Sequence, residues 1–442
     1  MRQTLARLAR RAPARVFVVE GDAPLDTPSL LHLHPGVEVV ESPRSATILL
    51  LAGSVPDTLG DSVRRVHDQM AFPRCTVAWP GGAGSDRSWP VCRSLDGSAA
   101  ELADRLIVVQ ADLVSGGIAS DPAVLPDVEP AEWRGVGPYG QGGSGMTGGV
   151  PYGRPLAETA PDRDGLRLDR LNVRVGPWFP PFPPGLILAL GLQGDVIQEV
   201  ALEPNPFAGR AAKSGDRSPD PFRRALGRPV EIATMELARA RHHLQWMAHA
   251  LRVHGLGALG VRALALAEAL VPGDVSPIAA LRRGLERARS LAVATEGVGV
   301  LPLDALRERG LGPIARASGG VDDARAGDET YLALEFKPVT HIGGDARARW
   351  RQRCAEAEQS VLLAGRANLA RAGGLGRVES PRGLLTRTSS PLAEQLTLIP
   401  RLLPGLEWGD AVAALVSLDL DLRDLPPEPP DVPAPADAGG RT

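Results

Sequence analysis

Ten residues, Ser45-Ala46-Thr47-Ile48-Leu49-Leu50-Leu51-Ala52-Gly53-Ser54, constrain the fold of this 442-residue chain more than any others. An apolar run of strand length without alternation has to be covered on both faces, which is the position of a strand inside a parallel sheet. Its neighbours agree. Ala14–Glu20 reads as a second buried strand closed by the turn residues Gly21-Asp22, Val37–Val40 as a short one and Cys75–Trp79 as another. Between them, Leu59, Val63, Val66 and Met70 recur at helical spacing over Asp57–Met70, and Ala99–Leu113 reads as a helix. Strands alternating with helices predict a small doubly wound α/β domain over about residues 13–125.

The second half has a different rhythm. Residues 229–270 carry two long helices; in the first, Ile232, Met235, Arg239/Ala240, His243/Leu244, Met247 and Leu251 recur at three- and four-residue spacing. A hairpin turns at Gln193-Gly194-Asp195. Further on, 277–294, 303–310 and 344–369 read as helices and Tyr331–Pro338 as a strand. Within this region Gly312-Pro313 breaks any helix, and Ser318-Gly319-Gly320 forms a second turn with Asp322 and Asp323 just behind it. Arg316 sits between these breaks among small residues. Its guanidinium fork has two readings: a structural pair pinning a loop, or a cation aimed at a ligand.

Composition excludes several functions. Apolar residues make up 43% of the chain and the formal charge is −3, with Lys213 and Lys337 the only lysines, so there is neither global disorder nor the basic footprint of a nucleic-acid binder. No run of eighteen apolar residues predicts a membrane span, and the basic N-terminus MRQTLARLARRAPAR lacks a long apolar core. The three cysteines, Cys75, Cys92 and Cys354, form no CxxC; Cys75 reads as a small buried hydrophobe and Cys92 as an unpaired thiol. His242, His243, His249 and His254 contain no i,i+4 pair, and His243 reads as a core histidine hydrogen-bonded within its bundle. Residues 121–170 form a Gly/Pro-rich connector whose formal G-x-G-x-x-G (Gly143, Gly145, Gly148) follows no strand and opens no helix, so a phosphate site is not expected there. The tail after Leu425 is rich in proline, alanine and acid and is expected to be disordered.

Several blocks carry a family resemblance. "GPIARASGGVDDAR", "ELARARHHLQWMAHALRVHG", the helix holding Asp345, Arg347, Glu356 and Ser360, "ESPRG" and the final "SLDL" resemble the large subunit shared by complex I (the NuoD type) and membrane-bound, formate-hydrogenlyase-like [NiFe] hydrogenases. "ESPRSATILLLAGSVPDTLGDSVRRVHDQMAFPRCTVAWPGG" is similar to the small, NuoB-type subunit of the same assemblies. The resemblance implies a flavodoxin-like α/β N-terminal domain over 1–125, a connector over 126–170, a mainly α (α+β) hydrogenase-large-subunit-like domain over 171–425 and a tail over 426–442.

The family's thiolates are missing from their places. No cysteine stands near Val19–Pro24, Gly82 replaces another, residues 200–228 contain none, and Phe179 stands where complex I places a quinone-pocket histidine. Nickel–iron and iron–sulfur centres take four thiolates each, and this chain has three cysteines in all. The expectation is a hydrophilic subunit without its own cofactor, acting as scaffold or coupler on antiporter-like membrane subunits, with Fe–S carrier subunits as further partners. It would lie on the cytoplasmic face of the membrane. The alternative is a quinone-interacting or hydrogenase-type oxidoreductase subunit that uses cofactors of partner chains. Arg316, Asp322, Asp323, Glu379, Arg382 and His243 are the candidate residues, read as an ion-pair network holding the old cavity; no metal ligands are expected.

Overall fold

In the computed structural model, residues 11–22, 29–79, 93–127, 158–161, 165–208 and 220–424 are described. The N-terminal basic segment, Cys92, the glycine motif at 143–148 and the tail fall outside them. Two compact units result: residues 1–180, 186–206 and 403–408, and residues 181–185, 207–402 and 409–442.

The first unit is built on a parallel sheet of β1 (Ala14–Glu20), β2 (Val37–Val39), β3 (Ile48–Ala52), β4 (Cys75–Trp79) and β5 (Arg93–Ser94). Its order is β2-β1-β3-β4-β5, the order of flavodoxin-like sheets, and all its pairings are parallel. The uninterrupted apolar run of β3 has the predicted cause. Ile48, Leu50 and Ala52 join one core with Leu102, Leu106, Val109 and Leu113 of helix α2 (Ala99–Ser115). Leu49 and Leu51 join a second core with Leu59, Met70 and Val63 of α1 (Gly60–Gln69). Helices therefore cover both faces.

Beyond the sheet, β6 (Thr159–Pro161) pairs with β7 (Arg167–Asp169), and β8 (Leu171–Val175), β9 (Leu188–Gln193) and β10 (Val196–Leu202) form an antiparallel meander. The turn between β9 and β10 falls at Gly194, as its sequence predicts. Ile197 donates to the Leu406 carbonyl at 2.9 Å, which is why residues 403–408 belong to this unit. Trp178 is buried in the second core and donates its indole N–H to the Glu20 carbonyl (3.1 Å), while Phe179 packs on Trp408 with ring centroids 5.8 Å apart. Cys75 corrects the sequence reading: it lies in a fully buried strand as expected, but it is disulfide-bonded.

In the second unit, β11 (Pro229–Glu231) leads into α3 (Ile232–Val253), which packs along α4 (Gly257–Glu268). Helix α5 (Ser276–Arg287) and the one-turn α6 (Pro313–Arg316) follow. Residues 303–310 do not form the expected helix; only Leu303–Ala305 makes a 3-10 turn, and Glu308 adopts a positive φ of 60°. Tyr331–Pro338 is not a strand either. The Asp328 carboxylate accepts from the N–H groups of Thr330 and Tyr331, capping the short helix α7 (Glu329–Ala333). Helix α8 (Ala346–Arg366), capped by Asp345 accepting from Ala348 N–H at 2.7 Å, packs against α3. The strand β12 (Arg371–Gly373) pairs with β11, then β13 (Arg377–Ser380) and β14 (Gly383–Thr386) form a hairpin, and α9 (Trp408–Leu418) leads into Asp419-Leu420-Asp421. No helix among the described residues is long and apolar enough to cross a membrane.

Candidate functional site

Helix α8 is buried on nearly every side, and the residues it buries include Arg349, Arg353 and Glu356. Helix α3 likewise turns Glu236, Arg239 and His243 inward at spacings of three and four. Buried charges must be paired or they neutralise. Arg349 is held by the Gly344 and Gly299 carbonyls and the Ser417 hydroxyl; the others are paired with one another, and Arg316 is the hub.

Two glycines bring that hub into place. Gly312 has φ +50° and ψ −122°, a conformation that only glycine adopts readily, and an added Cβ would stand 2.5 Å from Gly383 Cα. Gly383, at φ +138°, would meet the Gly310 carbonyl oxygen at 2.1 Å. The two backbones touch at these bare positions, and Leu384 N–H donates to the Gly310 carbonyl (2.8 Å). So Pro313–Arg316 is laid directly against the β13–β14 hairpin.

Arg316 is fully buried. Its Nε and Nη2 grip Glu356 as a fork, at 2.8 Å to Oε1 and 3.2 Å to Oε2. Its Nη1 reaches Glu379 Oε1 at 2.8 Å, Asp323 Oδ2 at 3.0 Å and the Asp322 carbonyl at 3.2 Å. Every guanidinium nitrogen thus has a protein acceptor. Burial by itself would raise the Glu356 carboxyl, but Arg316 and His243 hold it well below the usual carboxylate range. Burial works against Asp323 in the same way and loses to Arg325 and Arg316, leaving Asp323 at about 2. Glu379 goes the other way: burial, and then the neighbouring Asp323, push it up beyond what Arg316 can offset.

From this hub the network extends in two directions. Arg325 donates to Asp323 through Nε (3.0 Å) and Nη2 (2.8 Å), and through Nη1 to Glu236 at 3.1 Å. Glu236 also faces Arg239 at 3.4 Å and accepts the Tyr331 hydroxyl at 2.7 Å. On the other side, His243 Nδ1 accepts from Arg353 Nη1 (3.4 Å), which puts the ring proton on Nε2, 3.3 Å from Glu356 Oε2. Burial holds this imidazole neutral, its pKa pushed down to about 3. Arg353 Nη1 also meets Asp419 Oδ2 at 3.0 Å, an atom that His242 Nε2 approaches at 2.7 Å. Arg382 donates to the Asp419 carbonyl (3.0 Å) and lies 3.5 Å from its carboxylate and 3.6 Å from that of Asp421.

Of the six sequence candidates, Arg316, Asp323, Glu379 and His243 meet within the hub. Arg382 belongs to the outer group around Asp419. Asp322 contributes its main-chain carbonyl, and the residue itself is exposed. The candidates omitted Glu356, Glu236, Arg239, Arg325, Arg353 and Asp419. A signal for two of them existed, because Glu236 and Arg239 fall on the apolar stripe of α3.

Among the described residues, the two cysteines are not placed as thiolate ligands of one metal centre. In the first unit Cys75 is disulfide-bonded within β4. In the second, burial raises the Cys354 thiol to about 12, and its Sγ lies 3.4 Å from Met247 Sδ. At the ends of β1 and β3, where a flavodoxin-like sheet receives ligands, the described residues are Glu20, Gly21, Asp22, Gly53 and Ser54, with no thiol among them. No group of three or more His, Cys, Asp or Glu among the described residues is placed to hold a metal ion.

No curated protein matches the chain. A solved structure described as the membrane-bound sulfane sulfur reductase, an archaeal respiratory membrane complex, contains a similar chain. It is 20% identical, covers 58% of this chain and 98% of its own length, and superposes with a TM-score of 0.46. Residues 276–399, the stretch that supplies Arg316, Asp323, Arg325, Arg353, Glu356 and Glu379, match the family described as "Respiratory-chain NADH dehydrogenase, 49 Kd subunit".

Proposed function

We propose that this chain is a hydrophilic subunit of a membrane-bound assembly of the complex I or membrane-bound hydrogenase kind, without a redox centre of its own. Its N-terminal 1–125 would be a NuoB-type portion joined through 126–170 to a NuoD-type portion over 171–425, followed by the tail 426–442. It would sit on the cytoplasmic face of antiporter-like membrane subunits as scaffold or conformational coupler.

One observation carries this reading. In the segment that matches the 49 Kd family, Arg316 binds Glu356, Glu379 and Asp323 at 2.8–3.0 Å and keeps no nitrogen in reserve for a ligand. A cation committed to three carboxylates in a dry interior fixes loops relative to helices. The thiol inventory supports the same reading, since neither a cluster nor a nickel–iron site can be assembled from three cysteines.

The test is purification of the tagged full chain from detergent-solubilised native membranes, with metal analysis of the chain after it is stripped of its partners. Co-purification of polytopic membrane subunits together with substoichiometric iron and nickel is expected. A stoichiometric metal centre in the stripped chain, or no membrane partner at all, would overturn the proposal.

A further inference from the structure

Around Arg316 the charges do not balance. The hub and its Arg325 branch contain three guanidinium groups, Arg239, Arg316 and Arg325, and four carboxyl groups, Glu236, Asp323, Glu356 and Glu379. All seven are buried. His243, held neutral, adds no cation. Beyond them lies an outer group in which Arg353, Arg382 and Arg423 face Asp419 and Asp421, and Arg223 faces Asp424 and Asp220.

Three of the four carboxyls have a guanidinium contact of their own. Glu356 has the Arg316 fork and also accepts from Gln352 Nε2 at 2.7 Å. Glu236 has Arg239, Arg325 and the Tyr331 hydroxyl. Asp323 has two bonds from Arg325. Glu379 has less: its Oε1 accepts one N–H of Arg316 Nη1, a nitrogen that Asp323 Oδ2 also approaches at 3.0 Å, and its Oε2 accepts the Ala324 main-chain N–H at 3.2 Å. Two carboxyls on one nitrogen stand close together, and like charges so placed do not both ionise readily in a dry interior.

From this juxtaposition we infer that Asp323 and Glu379 form a buried proton-binding site that holds one exchangeable proton, resident on Glu379. The ligand is a proton alone, and no redox step is involved. The pair titrates as a unit, with Asp323 remaining the anion and Glu379 the acid. The groups facing it are Arg316 from α6, Arg325 and Asp323 from the turn after it, Glu236 and Arg239 from α3 and Glu356 from α8. The inference does not depend on the scaffold role, since it concerns the isolated chain.

An acid raised above its ordinary value binds its proton more tightly in the folded state. Its stabilisation is therefore complete below the ordinary glutamate value of 4.5 and fades as pH rises through the folded value. The test combines denaturant unfolding of the full chain across pH with infrared detection of a protonated buried carboxyl. The wild type should lose stability as pH climbs above the ordinary carboxylate range, and its carboxylic-acid band should titrate over the same interval. Glu379→Gln should lose the band and the falling slope that persist in Asp424→Asn. Asp323→Asn should move the titration toward acid by about one pH unit or more, since it removes the repelling charge. Asp424→Asn serves as the control, because burial also raises Asp424. A wild type with neither slope nor band overturns the proposal. So does a band that survives Glu379→Gln and disappears in Asp424→Asn.

Discussion

Arg316 is fully buried among the groups that bind it. Removing one member of a buried charge cluster strands the others, at a cost of about 3–5 kcal/mol. Arg316→Leu should therefore lower unfolding stability by about that much in urea titrations. Arg316→Lys should recover only part of it, since an ammonium cannot span both oxygens of Glu356 and reach Glu379 as well. Asp322→Ala is the matched control and should stay within about 0.5 kcal/mol of wild type, because Asp322 takes part through its main chain. Acid supplies a second handle. Asp323 and Asp421 both stand at about 2 in the fold, against an ordinary aspartate value of 3.8. A depressed carboxyl contributes stability above its unfolded value and loses it below, so unfolding stability should fall steeply between about pH 4 and 2. Arg316 was legible in the sequence because it is a lone cation among small residues between two breaks. Glu356 and Arg325 were not, since a carboxylate or guanidinium on a short pattern reads as a solvated face until its burial is known.

The placement of that arginine is a property of elements. Helix α6 reaches β13 only because Gly312 and Gly383 let two backbones meet, so a methyl group at either glycine forces them apart. Gly312→Ala should destabilise by at least about 2 kcal/mol and loosen the Arg316–Glu379 contact, which amide exchange at Ala324 would report. The sequence exposed Gly312-Pro313 as a helix break, but a close approach across seventy residues leaves no local mark. The buried strands β1, β3 and β4 were legible because unbroken apolar runs have one stable use. Tyr331–Pro338 was misread for the opposite reason: its aromatic residues favour a strand, and the Asp328 cap together with burial of Tyr331 against Phe336 overrides them.

Over the whole chain, the antiparallel meander and the parallel sheet fall in one compact unit. Residues 403–408 join that unit because Ile197 meets Leu406, a pairing across about two hundred residues that no periodicity foretells. The network behaves like the meander: Glu236 meets Arg325 across 89 positions, and His242 meets Asp419 across 177. During synthesis, Arg353 and Arg382 emerge well before the aspartates that neutralise them. The stretch from Gly409 to Asp421 thus acts as a latch: until Asp419 and Asp421 arrive, Arg353 and Arg382 lack the carboxylates they face in the folded unit. Chains halted after Trp408 should be degraded by dilute protease where full-length chains resist it, and nascent copies should dwell in an open state until the final segment clears the ribosome.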